Sequence, residues 1–215
     1  IDNNVSLDLM EFVETQILPG YANFDQAHRL NHVNHVVKES LALAGKLGAD
    51  INMAYVTPTY HDLDLEGPGA IHHLTSGKIL ISDTRLKKWF SAEQMKIMKE
   101  AVEDHRASAS HAPRSIYGKI VAEADRELEP DTVFRRTILY GRDHYPEMSM
   151  EQQWDRFTEH LDNKYSNTGY IKLWIPGSEN EKNLKVIRDY INNRTALRAL
   201  FDKIFNELNG NEAEQ

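Results

Sequence analysis

Apolar positions recur at helical spacing along nearly the whole chain. Leu7, Met10, Val13, Glu14 and Ile17 follow a 3.6-residue period, and Pro19-Gly20 is expected to end that segment. Val33, Val36, Val37, Leu41, Ala44 and Leu47 form a cleaner stripe, closed by Gly48. Ile51 to Leu63 predicts a third helix, after which Gly67-Pro68-Gly69 breaks the chain. His72 to Ile81 predicts a short fourth. Ser91 with Gln94 resembles a capping box opening a fifth that runs to about His105. Ile116 to Leu128 predicts a sixth, stopped near Pro130, with further helices over Asp131 to Tyr140 and around Trp154 to Leu161. Ser178 with Glu181 looks like a second capping box. It opens one long helix through Val186, Ile187, Tyr190, Ile191, Leu197, Leu200, Ile204 and Leu208. The stretch 164–180 is the least regular and has room for an extended piece. No alternating strand bounded by hairpin turns stands out, so the expectation is one all-α domain over residues 1–215.

Composition narrows what such a domain could do. Of 215 residues, 25 are Lys or Arg and 33 are Asp or Glu, for a net charge of −8. That balance disfavours a general nucleic-acid coat or an anionic-membrane binder, though it permits a local basic pocket. There is no cysteine, which removes disulfides, thiol nucleophiles and zinc-thiolate sites. No apolar run reaches the ~18 residues of a membrane span, and a cytoplasmic location is the default expectation. Any metal would therefore take imidazole or oxygen ligands, and ten histidines make that worth pursuing.

The ligand-type residues lie on separate predicted helices. His32 stands at the start of the second, the pair His61-Asp62 late in the third, His105 at the end of the fifth and Asp125 inside the sixth. A helix bundle can converge such side chains on one point. Two imidazoles and two carboxylates would suit a borderline or hard divalent ion with open positions for water and substrate. His35 is a rival to His32, and His72 and His73 are candidates for a second metal. Trp89, Trp154 and Trp174 are read as packing residues, and His111, His144 and His160 as surface residues.

These residues resemble the HD-domain metal-dependent phosphohydrolase superfamily, defined by His…His-Asp…Asp across several helices. HRLNHVNHVVKESLALA resembles its first motif, His61-Asp62 the doublet that names it, AEADREL its last motif, and EDHR a pocket-lining segment of one bacterial subgroup. The resemblance spans roughly residues 20–140, with helices at about 149–208 packing on that core. It implies an HD-type helical bundle with His32, His61, Asp62 and Asp125 as ligands of a divalent ion (Mn, Mg, Co, Ni, Fe or Zn). It also implies hydrolysis of a phosphoester or phosphoanhydride in a small phosphorylated molecule, with a nucleotide as the substrate class. Asp62 is then also the residue to orient the attacking water. Asp64 and Glu66 are the acid/base candidates through water, and Arg29, Lys78, His105, Arg106 and Arg126 the phosphate-binding ones.

Two features depart from the pattern. VTPTYHD carries Pro58 just before the doublet, so either a helix interior is kinked there or Thr57 caps a helix that Pro58 opens. HDLDLEGPG lacks the Glu-Asp pair of alarmone hydrolases, which argues against that subgroup. Two rival functions remain open in the sequence. One is a di-iron HD-fold oxygenase, which would need His72, His73 and His105 as extra ligands. The other is a non-catalytic HD-fold ligand-binding protein.

Overall fold

A computed structural model of the chain describes residues 4–21, 26–64 and 69–212, the side chains of 26–28, 211 and 212 excepted. All the regular structure among them is helical: α1 (Leu7–Phe12), α2 (Gln26–Leu47), α3 (Ile51–Tyr60), α4 (His72–Ser82), α5 (Ala92–Asp104), α6 (Ile116–Asp125), α7 (Pro130–His144), α8 (Met150–Tyr165), α9 (Glu179–Ile191) and α10 (Arg194–Glu212). The all-α expectation holds. None of these helices is long and apolar enough to cross a membrane. The chain divides into two compact units, Ile1–Arg126 and Glu127–Gln215.

In the first unit α2, α3, α5 and α6 pack on one another, and α4 lies against α5. Leu9, Val13, Val56, Tyr60, Leu80, Leu86, Met98 and Val102 fill its core. α1 passes into a π-helical turn (Val13–Ile17) and a 3-10 turn (Leu18–Tyr21), so Pro19-Gly20 tightens the segment rather than stopping it. α3 is capped by Asp50, whose carboxylate accepts from the Met53 amide at 3.0 Å. Pro58 therefore stands inside the helix, and Thr57 is no cap: its hydroxyl donates to the Met53 carbonyl at 2.7 Å. Pro58 brings no N–H to the preceding turn, and α3 ends two residues later. The Ser91–Gln94 capping box on α5 forms in both directions. α5 and α6 approach closely at Gly118, where a Cβ would stand 2.9 Å from Pro113 Cβ and 3.5 Å from Ala101 Cα.

Asp83 ties the end of α4 to the end of α3. It accepts from the Tyr60 hydroxyl at 2.8 Å and takes Nε and Nη2 of Arg85, each at 2.8 Å. Burial raises its pKa, but the bonds from Arg85 and Tyr60 outweigh that and hold it below the ordinary value. A depressed carboxylate stabilises the fold above about pH 4 and loses that contribution as pH falls through its folded value. Asp83→Asn is accordingly expected to flatten the acid side of the stability–pH curve in urea titrations, and an unchanged acid limb would remove this role.

In the second unit α7, α8, α9 and α10 surround Phe134, Phe157, Leu161, Tyr165, Ile187, Leu197, Phe201 and Ile204. Pro130 opens α7 behind the Glu129 cap instead of merely ending α6. α8 is longer than its apolar stripe suggests, because Ser149 and Gln152 form a capping box at its start. The expected long C-terminal helix is two helices. α9 ends at Ile191, and Asn193 caps α10, accepting from the Ala196 amide at 3.1 Å. The apolar period runs on across the break, so only the Asn192-Asn193 pair marks it. Ser178 caps α9, but Glu181 bonds back to the Gly177 amide rather than completing the box. The stretch 164–180 holds no strand. It turns back on the end of α8 through Tyr170 N to Asn163 O and Ile171 N to Lys164 O, at 3.1 and 3.0 Å. Trp154 packs among Phe157 and Phe201, and Trp89 against Phe12.

Candidate metal centre

Three helices of the first unit end where His61, His105 and Asp125 meet. His61 is the C-cap of α3, His105 the C-cap of α5, and Asp125 the last residue of α6. Helix C-termini carry partial negative charge, which favours a cation placed among them. Asp62 follows His61, and α2 brings in His32. One donor atom from each of His32, His61, Asp62 and Asp125 falls within 4.8 Å of every other.

The donor separations can be compared with what an ion needs. His32 Nε2 lies 3.0 Å from Asp125 Oδ1 and 3.9 Å from Asp62 Oδ2. His61 Nε2 lies 3.1 Å from Asp62 Oδ2 and 3.4 Å from Asp125 Oδ1. Ligands ~2.1 Å from one ion stand about 3.0 Å apart at octahedral angles and about 3.4 Å apart at tetrahedral ones. His61 is fully buried, and its Nε2 makes no well-formed hydrogen bond. Its Nδ1 donates to the Pro58 carbonyl at 2.5 Å. A carbonyl can only accept, so the proton sits on Nδ1 and Nε2 is presented to the cluster, as metal-binding histidines require. The backbone carbonyl at position 58 thus orients the ring three residues on. The donor set and the orphaned nitrogen fit a divalent cation.

The electrostatics agree. Burial opposes charge on His61, but Asp62 and Asp125 outweigh it and draw its pKa well above the ordinary imidazole value, so a cation that takes up Nε2 would displace a proton from it. Burial likewise raises Asp125, yet the bonds from His32 and His61 hold its carboxyl well below the usual range, and Asp62 is lowered chiefly by His61. Both carboxylates are thus anionic at neutral pH, the form a metal takes up.

The remaining predicted site residues are placed unequally. His105 is buried beside the four, its Nε2 3.8 Å from Asp62 Oδ1, with Nδ1 donating to the Val102 carbonyl at 2.5 Å. Burial, above all, pushes its pKa down. Arg126 is 7% exposed, and its guanidinium donates to the carbonyls of Ala122 and His105; it braces the wall of the site from inside. Arg106 donates to the Ala70 carbonyl at 2.8 Å, 3.2 Å from His73 Nδ1 on one side. Together with Glu103, Ser108 and Ser110 these two side chains line a cleft of about 230 Å³. Asp64 is half-buried and its amide donates to Ser76 Oγ at 3.2 Å. Arg29 is half-buried on α2, and Lys78 is exposed on α4. Glu66 lies outside the described residues. His35 is exposed, and neither it nor His72 nor His73 joins the cluster.

One positioning element went unread in the sequence. Asp104, 2% exposed, accepts from the amide, Nε and Nη2 of Arg114 at 2.8, 3.0 and 2.9 Å, closing the loop that leaves His105 and returns to α6. Acid and base ten residues apart in an irregular stretch leave no periodic signal.

No family model matches the chain, and no curated protein matches it. Among solved structures it is similar to a predicted HD superfamily hydrolase from an uncultured Thermotogales bacterium. The two share 20% identity over 72% of this chain and 93% of that chain, at a TM-score of 0.45. The chemistry of the site rests on the residues themselves and not on that likeness.

Proposed function

We propose that this chain is a metal-dependent phosphohydrolase acting on a small phosphorylated molecule, with a nucleotide as the substrate class. The observation that carries the proposal is the convergence of His32, His61, Asp62 and Asp125 donor atoms, with the buried His61 Nε2 making no well-formed hydrogen bond of its own. A divalent cation held there would supply Lewis acidity toward a phosphoryl oxygen and acidify a water in its open positions.

The chain's own groups then have distinct tasks. The carbonyl of Pro58 fixes the His61 ring, and that of Val102 fixes His105. Asp62 faces His61 with Oδ2 and His105 with Oδ1, so one carboxylate can serve as ligand and orient a water at once. Arg106 and His73 offer donors in the neighbouring cleft for phosphate oxygens. Asp64 is the residue for proton transfer through water.

Elemental analysis combined with a phosphate- and pyrophosphate-release screen over nucleotides, with several divalent ions, tests the reading. Metal near one equivalent and release that depends on it are expected. A purified chain that binds no divalent ion and releases neither product would overturn it. The di-iron alternative needs several extra imidazoles, and among the described residues only His105 adjoins the four donors.

A further inference from the structure

The second unit carries cations that face no carboxylate among the described residues. Three of its arginines are paired with acids: Arg135 with Asp131 and Glu207, Arg194 with Asp162, and Arg198 with Glu151 and Asp202, while Arg188 donates to the carbonyls of Tyr165 and Ser166. Arg136, Arg156 and Lys164 pair with no carboxylate among the described residues. Arg136 Nη2 reaches the Tyr165 hydroxyl at 3.5 Å, and Lys164 Nζ stands 5.2 Å from the centre of the same ring. His160, one turn before Lys164 on α8, meets that ring edge-on at 6.2 Å. Arg156, His160 and Lys164 follow one another at intervals of four, so they share a face of α8. Asp155 and Glu159 on the same helix are exposed and form no ion pair with any of them.

Arg156 is seated rather than waving. Its Nη1 donates to the Thr137 carbonyl at 3.0 Å, and its guanidinium lies 5.1 and 5.8 Å from the ring centres of Tyr140 and Tyr145. It packs close to Gly141, where a Cβ would stand 3.0 Å from Nη1 and closer still to Gln153 Oε1. His160, expected at the surface, is half-buried. Burial lowers its pKa first, and Lys164, Arg156 and Arg136 lower it further, with no carboxylate opposing them. In a chain of net charge −8 this is a local reversal of sign.

We propose that Arg136, Arg156, His160 and Lys164 form a binding site for the phosphate group of a small phosphorylated ligand. Three donors gathered around Tyr165, with Arg156 one turn before His160 on the same helix face, suit a single compact dianion, whereas a nucleic-acid strand would need a track of such groups. Arginine forks supply paired N–H bonds to phosphate oxygens. The site lies wholly within the second unit and does not depend on the metal-centre reading.

The test is titration of the full chain, in chelator so that no divalent ion participates, with inorganic phosphate, pyrophosphate and a nucleoside triphosphate. Calorimetry and the ring resonances of His160 are the readouts. Saturable binding is expected, with the His160 pKa rising as the anion binds. In the double variant R136Q/K164Q, with Arg136 exposed and Lys164 half-buried, affinity is expected to fall by about tenfold or more. Stronger binding of the triphosphate than of pyrophosphate assigns the site to a nucleotide. Equal strength assigns it to the phosphate group alone. Circular dichroism of the variant checks that it is folded. Unchanged affinity in the folded variant, no binding of any of the three anions, or binding only of a long oligonucleotide would each overturn the proposal.

Discussion

Replacing Asp125 with alanine is expected to abolish divalent-metal binding and, with it, phosphohydrolase activity, while the chain stays folded. Asp125 Oδ1 faces both imidazoles, 3.0 Å from His32 Nε2 and 3.4 Å from His61 Nε2, so no other oxygen can replace it without moving a helix end. Groups that merely orient a ligand cost about 10–100-fold in metal affinity when removed. Loss of a ligand itself should exceed that, and activity should fall by more than about a thousandfold. Asp62→Ala is expected to do the same. Folding should survive, since both side chains are about a quarter exposed and sit at the ends of their helices. The core of Leu9, Val56, Leu80 and Met98 is elsewhere in the unit. The paired measurement is elemental analysis with a product-release assay, alongside circular dichroism. Activity persisting in both variants would leave the proposed centre without a role.

Stripping the metal from the wild-type chain is expected to lower its thermal stability as well as its activity. A ligand that binds only the folded state stabilises it by about 2.7 kcal/mol at a hundredfold excess over its Kd. For a unit of this size that is a shift on the order of 10 °C. The four donors come from residues 32 to 125, all within Ile1–Arg126, so the shift belongs to the transition that unfolds this unit. In the Asp125→Ala chain the same metal addition should produce no shift. An equal shift in wild type and variant, followed by scanning calorimetry, would place the stabilising ion somewhere else.

Arginine illustrates why the site was only partly readable. Arg106 and Arg126 are equivalent as letters, two cations flanking ligand motifs. One lines a cleft beside His73, and the other is buried as a donor to backbone carbonyls. Which of these a guanidinium does depends on whether its helix end faces solvent or the packed interior. Likewise His160 has no motif around it, and its half-burial among three cations appears only when α7 and α8 are brought together. Pro58 could be read as a kink or as a first helical residue; the Asp50 cap decided between them.

From the sequence alone came the helices, because side-chain burial on one face imposes a 3.6-residue period whatever the neighbours are. The Ser91–Gln94 cap could be read there too, being a contact between residues three apart. So could the short set of residues able to hold a metal, since only imidazole and carboxylate were on offer. Tertiary structure alone decided that donors as far apart as residues 32 and 125 share one point, and that one expected helix is two. It also decided that a proline carbonyl aims His61. Those outcomes depend on how helix ends meet in space, and a one-dimensional periodicity carries no record of that.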